Sequence, residues 1–166
     1  FHTAKDTSLL WVYEGLTQYL GELVEARSGL MSRAEFEARL FVELRNAVHQ
    51  DGRKWRTLAD TGSASHTLRS GSAQWGSLRR SQDYYMEGML FWLEVDALIR
   101  NGTDNKKTLD DFCHEFFRVD DELRTPKPYA RSGVVDCLNS VMEFDWEGLI
   151  LRRIESKQES FSPKVA

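Results

Sequence analysis

The sequence predicts an all-α protein, an array of about six packed helices, and three observations carry that reading. Apolar residues recur at three- and four-residue steps over most of the chain, start signals precede those stretches, and no convincing alternating run of strand length occurs. No internal repeat is visible. With 166 residues, 41% of them hydrophobic and 29% charged, the chain suits one ordinary globular domain that buries roughly two-thirds of its unfolded surface.

The first helix spans Ser8 to Ser28, where Leu9, Trp11, Val12, Leu16, Tyr19, Leu20, Leu23 and Val24 repeat with helical spacing and Gly29 supplies a stop. Ser32 and Glu35 then form a capping box, each side chain satisfying an orphan N–H of the first turn. The second helix follows, with Phe36, Leu40, Phe41, Leu44 and Val48 on one face. From Asp51 to Gln82 the periodicity fades into Gly, Ser and Thr, which predicts a long loop or a set of short turns. Loops of that length inside compact domains are more often functional than idle. Its Trp55, Trp75, Arg79 and Arg80 either line a cleft or pack on the surface.

The third helix starts near Ser81 to Asp83 and runs through Met89, Leu90, Trp92, Leu93, Val95 and Leu98 to Ile99, with Gly102 past its end. It is apolar on most sides and should be central. Thr108 with Asp111 makes a second capping box, opening a short helix that carries Leu109, Phe112, Phe116 and Phe117. Ser132 caps a helix with Val134, Val135, Leu138 and Val141, and Asp145 caps another with Trp146, Leu149, Ile150 and Ile154. Pro126 and Pro128 punctuate the connection.

A formal charge of −4 without a basic cluster argues against nucleic acid or an anionic membrane as partner, and the pair Arg79-Arg80 is too small to reverse that. No run approaches the roughly 18 apolar residues of a membrane span. No targeting signal is present, and Phe1-His2-Thr3-Ala4 reads as the interior of a longer protein, so the compartment stays open. Cys113 and Cys137 are too few and too far apart for a metal knuckle or disulfide framework, and read as plain buried thiols.

His114-Glu115-Phe116-Phe117-Arg118 opens like the H-E-x-x-H zinc motif, but Arg118 stands where the second histidine must be, and a guanidinium does not ligate zinc. The other histidines, His2, His49 and His66, are scattered, and nothing resembles a Ser/His/Asp elbow or a phosphate loop. From the residues alone no active site is complete. The unusual stretch is Trp11 to Tyr19, where Glu14 sits on the edge of the apolar stripe. Gly15 and Gly21 each cost a helix interior about 1 kcal/mol relative to alanine, which asks for a packing or access reason. One reading is a surface glutamate beside a glycine where helices approach closely; the other is a functional carboxylate.

The stretch W-V-Y-E-G-L-T-Q-Y, residues 11–19, is similar to the W-x-x-E-G-x-x-x-Y element of gluzincin peptidases, and residues 9–21 look closest to the glycyl aminopeptidase family. Ser81-Gln82-Asp83-Tyr84-Tyr85-Met86-Glu87-Gly88 is similar to that family's Y-Y-x-x-G segment at a helix start. Lys107 to Phe112, with Phe116-Phe117, resembles its next helix. The matches run in the family's order across roughly residues 7 to 155.

The resemblance implies a helical subdomain of a metallopeptidase over residues 1–158, like the C-terminal subdomain of thermolysin-like peptidases, and a linker over 159–166 toward a PDZ-like domain. It makes Glu14 the third zinc ligand, Thr17 a residue that orients a ligand, and Tyr85, with Tyr84 as rival, the phenol that stabilises the oxyanion. The substrate would be a peptide cut near its N-terminus. The family's H-E-x-x-H helix, which brings two zinc ligands and the general base, is absent from these residues, so the chain alone is expected to be inactive and to hold no zinc. The partner would be an upstream subdomain bearing that helix. The other reading is a non-catalytic helical scaffold or interaction module.

Overall fold

The computed structural model describes residues 6–68, 74–118 and 128–158, which form eight α-helices and, among the described residues, no strand. The fold is all-α. In chain order the helices are α1 (Leu10–Arg27), α2 (Arg33–Val48), α3 (Leu58–Ser63), α4 (Ser65–Leu68), α5 (Met86–Gly102), α6 (Leu109–Phe116), α7 (Arg131–Val141) and α8 (Trp146–Ile150). A 3-10 turn, Asp51–Lys54, precedes α3, and a π-helical turn, Leu151–Glu155, extends α8. Pro126, His2 and the 159–166 stretch lie outside the described residues.

The core forms where α1 lies on α5. Trp11, Val12, Leu16 and Tyr19 of α1 meet Met89, Phe91, Trp92, Val95 and Ile99 of α5, all of them buried. The Trp11 and Trp92 rings stack 6.1 Å apart, and the Trp92 indole N–H donates to the Trp11 carbonyl at 3.3 Å. At the crossing the backbones touch. A Cβ on Gly15 would lie 2.5 Å from the Gly88 carbonyl carbon, and one on Gly88 would lie 2.8 Å from the Gly15 Cα. Only a residue without a side chain fits at either position, which explains the costly Gly15. Gly21 has no such reason: it is exposed and nothing comes within 4 Å of its missing Cβ.

Asp96 ties a third helix to this pair. Its buried carboxylate accepts from the Tyr19 hydroxyl at 2.8 Å, the Arg100 Nε at 3.0 Å and the Leu109 backbone N–H at 2.8 Å, so α1, α5 and the first turn of α6 share one acceptor. Both capping boxes, Ser32 with Glu35 and Thr108 with Asp111, are formed, and Asp145 accepts from the Gly148 N–H.

Four expectations are corrected. The third predicted helix begins at Met86, because residues 81–85 make a turn first, and it includes Gly102. Ala130, without a side-chain cap, is the N-cap of α7, and Ser132 lies inside the helix. Phe41 and Val48 of α2 are 67% and 53% exposed, because Leu40, Leu44 and Ala47 already form the inward stripe. The 51–82 connection contains two short helices, α3 capped by the Thr57 side chain, too brief for their periodicity to register.

Candidate functional site

Glu14 is half-buried on α1, next to the Gly15 that touches Gly88. Among the described residues its carboxylate makes no hydrogen bond or ion pair. Thr17, one turn on, is exposed, and its hydroxyl donates to the Tyr13 carbonyl of its own helix at 2.8 Å. Tyr84 and Tyr85 sit just before the same crossing, Tyr85 one turn ahead of Gly88. Their rings stand 5.1 Å apart; Tyr84 is buried and Tyr85 half-buried. Glu14 and the tyrosine pair, far apart in sequence, thus lie within a turn of one backbone contact.

Tyr129, which follows Pro128 and carries no sequence signal, joins this neighbourhood. Burial raises its phenol above the ordinary value, with Tyr13 and Glu14 adding negative potential. Its ring meets Phe116 edge-on at 5.1 Å and lines a groove of about 870 Å³ between the end of α6 and α7, beside Phe117, Arg118, Gly133 and Asp136. His114 is exposed on α6 and Arg118 pairs with Glu115, an ordinary helix surface.

In the 51–82 connection, Trp55, Trp75 and Arg79 lie at the surface and only Arg80 departs from both expectations. Trp75 is 69% exposed, with a left-handed backbone at φ 64°, and Arg79 is exposed. Trp55 is half-exposed: its indole N–H donates to the Leu78 carbonyl at 2.8 Å, and the Arg56 guanidinium lies 5.0 Å from its ring. Arg80 is neither a cleft residue nor a surface one, being 2% exposed. It pairs with Asp83 at 3.1 Å and with the buried Glu87, whose other oxygen is held by the buried Arg53 at 3.0 Å. Burial pushes the Glu87 carboxyl up while Arg80 and Arg53 pull it down. Two turns further along α5, Glu94 accepts two bonds from Arg153 at 2.8 and 3.0 Å. The helix read as apolar on most sides therefore has an acidic face, Glu87 and Glu94, strapped by arginines from outside it. Its signal was present as Glu87 and Glu94 seven residues apart, two helical turns on one face.

The M61 glycyl aminopeptidase family model matches residues 1–91, more than half of the chain, and the match includes Glu14, Thr17, Tyr84 and Tyr85. The chain belongs to that family. Its origin is accordingly that of a peptidase. Among curated proteins none matches the chain. Members of the glycyl aminopeptidase family are generally metallopeptidases, which raises the question of what holds a metal here. Among the described residues no three His, Cys, Asp or Glu side chains gather closely enough to bind one ion. A catalytic zinc takes three protein ligands. The described residues do not make that site by themselves.

Proposed function

We propose that this chain is the helical subdomain, residues 1–158, of a zinc-dependent aminopeptidase that hydrolyses peptide bonds near an N-terminus. In this reading Glu14 is one zinc ligand, and an H-E-x-x-H helix elsewhere in the polypeptide brings the other two with the general base. A PDZ-like domain follows the 159–166 linker. The observation that carries the reading is the family match over residues 1–91 together with an unpaired Glu14 beside the Gly15–Gly88 contact. A ligand glutamate must keep its carboxylate uncommitted, and one on a helix pinned by backbone contact to a second helix has little freedom to wander. Zinc, when bound in such sites, lowers the pKa of its water to about 7.

The chain's own residues supply position and hydrogen bonding. Tyr85, more exposed than the buried Tyr84, is the phenol placed to donate to negative charge developing on the scissile carbonyl oxygen. Thr17, one turn from Glu14, is the residue that would position a ligand, its hydroxyl donating in this structure to the Tyr13 carbonyl of its own helix. The groove lined by Tyr129, close to Glu14, offers the peptide an aromatic wall.

The test uses the polypeptide that joins this chain to its H-E-x-x-H helix. Tyr85→Phe should lower kcat with less effect on KM, because a bond made mainly in the transition state is lost. An unchanged kcat transfers the role to Tyr84 or removes it. An open reading frame with no H-E-x-x-H ahead of Glu14 sinks the peptidase reading and leaves the scaffold.

A further inference from the structure

Tyr85 occupies the N-cap position of α5 without a side-chain capping bond, and its N–H closes the preceding turn on the Gln82 carbonyl at 3.0 Å. A buried arginine braces that turn. Arg80 donates from Nε to the Asp83 carboxylate at 3.1 Å, from Nη1 to the Arg56 carbonyl at 2.8 Å, and pairs through Nη2 with the Glu87 carboxylate. Asp83 and Glu87 flank Tyr84-Tyr85 on either side and are already one turn apart, the Glu87 N–H donating to the Asp83 carbonyl at 2.7 Å. One buried guanidinium therefore spans the turn that carries both tyrosines, and Arg53 holds Glu87 from the opposite oxygen.

We propose that Arg80 is a positioning residue of the peptidase reaction, setting through Asp83 and Glu87 where the Tyr84–Tyr85 pair stands. This rests on the function proposed above. The choice of side chain supports it: three acceptors in three directions suit a planar fork of donors, and a lysine ammonium is a point charge on a flexible stem. Buried ion pairs are weak evidence for stability, and their best-attested use is to specify one arrangement among several.

The experiment has two arms. In the full 166-residue chain, whose five tyrosines are labelled with ring carbon-13, Arg80→Lys and Asp83→Asn should each shift the Tyr84 and Tyr85 signals and leave Tyr13, Tyr19 and Tyr129 in place. In the polypeptide carrying the H-E-x-x-H helix, Arg80→Lys should lower kcat on the order of tenfold or more while KM stays within about twofold, because a small displacement of a donor costs far more in the transition state than in binding. Adding guanidinium ion to Arg80→Gly should recover part of that loss. Unmoved Tyr84 and Tyr85 signals in a folded variant overturn the proposal, as does a loss carried by KM. Should Arg80→Lys fail to fold, Asp83→Asn, which cuts one end of the span, decides the matter. A wild-type polypeptide without peptidase activity removes the functional reading, and the tyrosine signals then judge the hold of Arg80 on the pair by themselves.

Discussion

Burial raises the thiols of Cys113 and Cys137 from 9.0 to about 11, with Asp110 adding to the first and Glu115 to the second. An unfolded chain ionises both near 9.0, so above that pH it binds fewer protons than the fold does. The contribution of these thiols to stability is therefore complete below pH 9.0 and is lost as pH rises from 9.0 toward about 11. The same shift governs reactivity, because the thiolate is the nucleophile. Iodoacetamide should label the folded chain more slowly than the urea-unfolded chain below pH 9.0, with the folded rate rising toward a midpoint near 11; a folded midpoint at or below 9.0 would show the thiols unshielded. At this scale the sequence was partly readable. Both cysteines were read as buried thiols, and Cys137 is buried while Cys113 is only partly so; Glu14 stood out because a carboxylate interrupted an apolar edge. Arg80 was not readable: its burial depends on Asp83, Glu87 and the Arg56 carbonyl converging in space, and an arginine in a polar connection looks solvated until its partners are known.

The crossing of α1 and α5 is the place where element geometry is least forgiving. Gly15→Ala would set a methyl 2.5 Å from the Gly88 carbonyl carbon and 2.6 Å from its Cα, both backbone atoms that cannot swing aside. We expect it to destabilise the chain by about 1–3 kcal/mol. Gly21→Ala, in the same helix with nothing within 4 Å, should stabilise it by about 0.5–1 kcal/mol. Urea midpoints of the two variants check both signs, and equal midpoints would mean that the helices have slack at their contact. Elements were legible where their signals are local. Ser32 with Glu35 and Thr108 with Asp111 marked helix starts correctly because a capping box is closed within four residues. Ser132 misled because a serine in the second position of a helix looks, in sequence, like one just before it. The stripe of α2 was drawn too wide, since Phe41 and Val48 have the hydrophobicity of core residues and only the packing of Leu40 and Leu44 shows which side faces in.

For the whole molecule, the all-α class and the glycyl aminopeptidase family were both readable before any coordinates, the first from periodicity and the second from ordered motifs over much of the chain. The proposed site residues could be named from the motifs but not placed, because what brings Glu14 and Tyr85 to one region is the Gly15–Gly88 contact between helices that the sequence separates widely. A single proposed ligand in this chain leads to a plain expectation: after dialysis against metal-free buffer, metal analysis should find well under one zinc per chain, and one tightly held zinc would refute the division of the site between two parts of a polypeptide.

The pairing of Trp11 with Trp92 spans 81 positions. On a ribosome adding roughly 5–20 residues per second, α1 therefore waits roughly 4–16 s for the surface that covers it. During that interval Trp11, Val12, Leu16 and Tyr19, all buried in the finished fold, face water or whatever else the cell presents. The helix that carries the proposed ligand is thus made well before the surface that shelters it, and the nascent chain's exposure to chaperones and proteases is set by how quickly α5 follows.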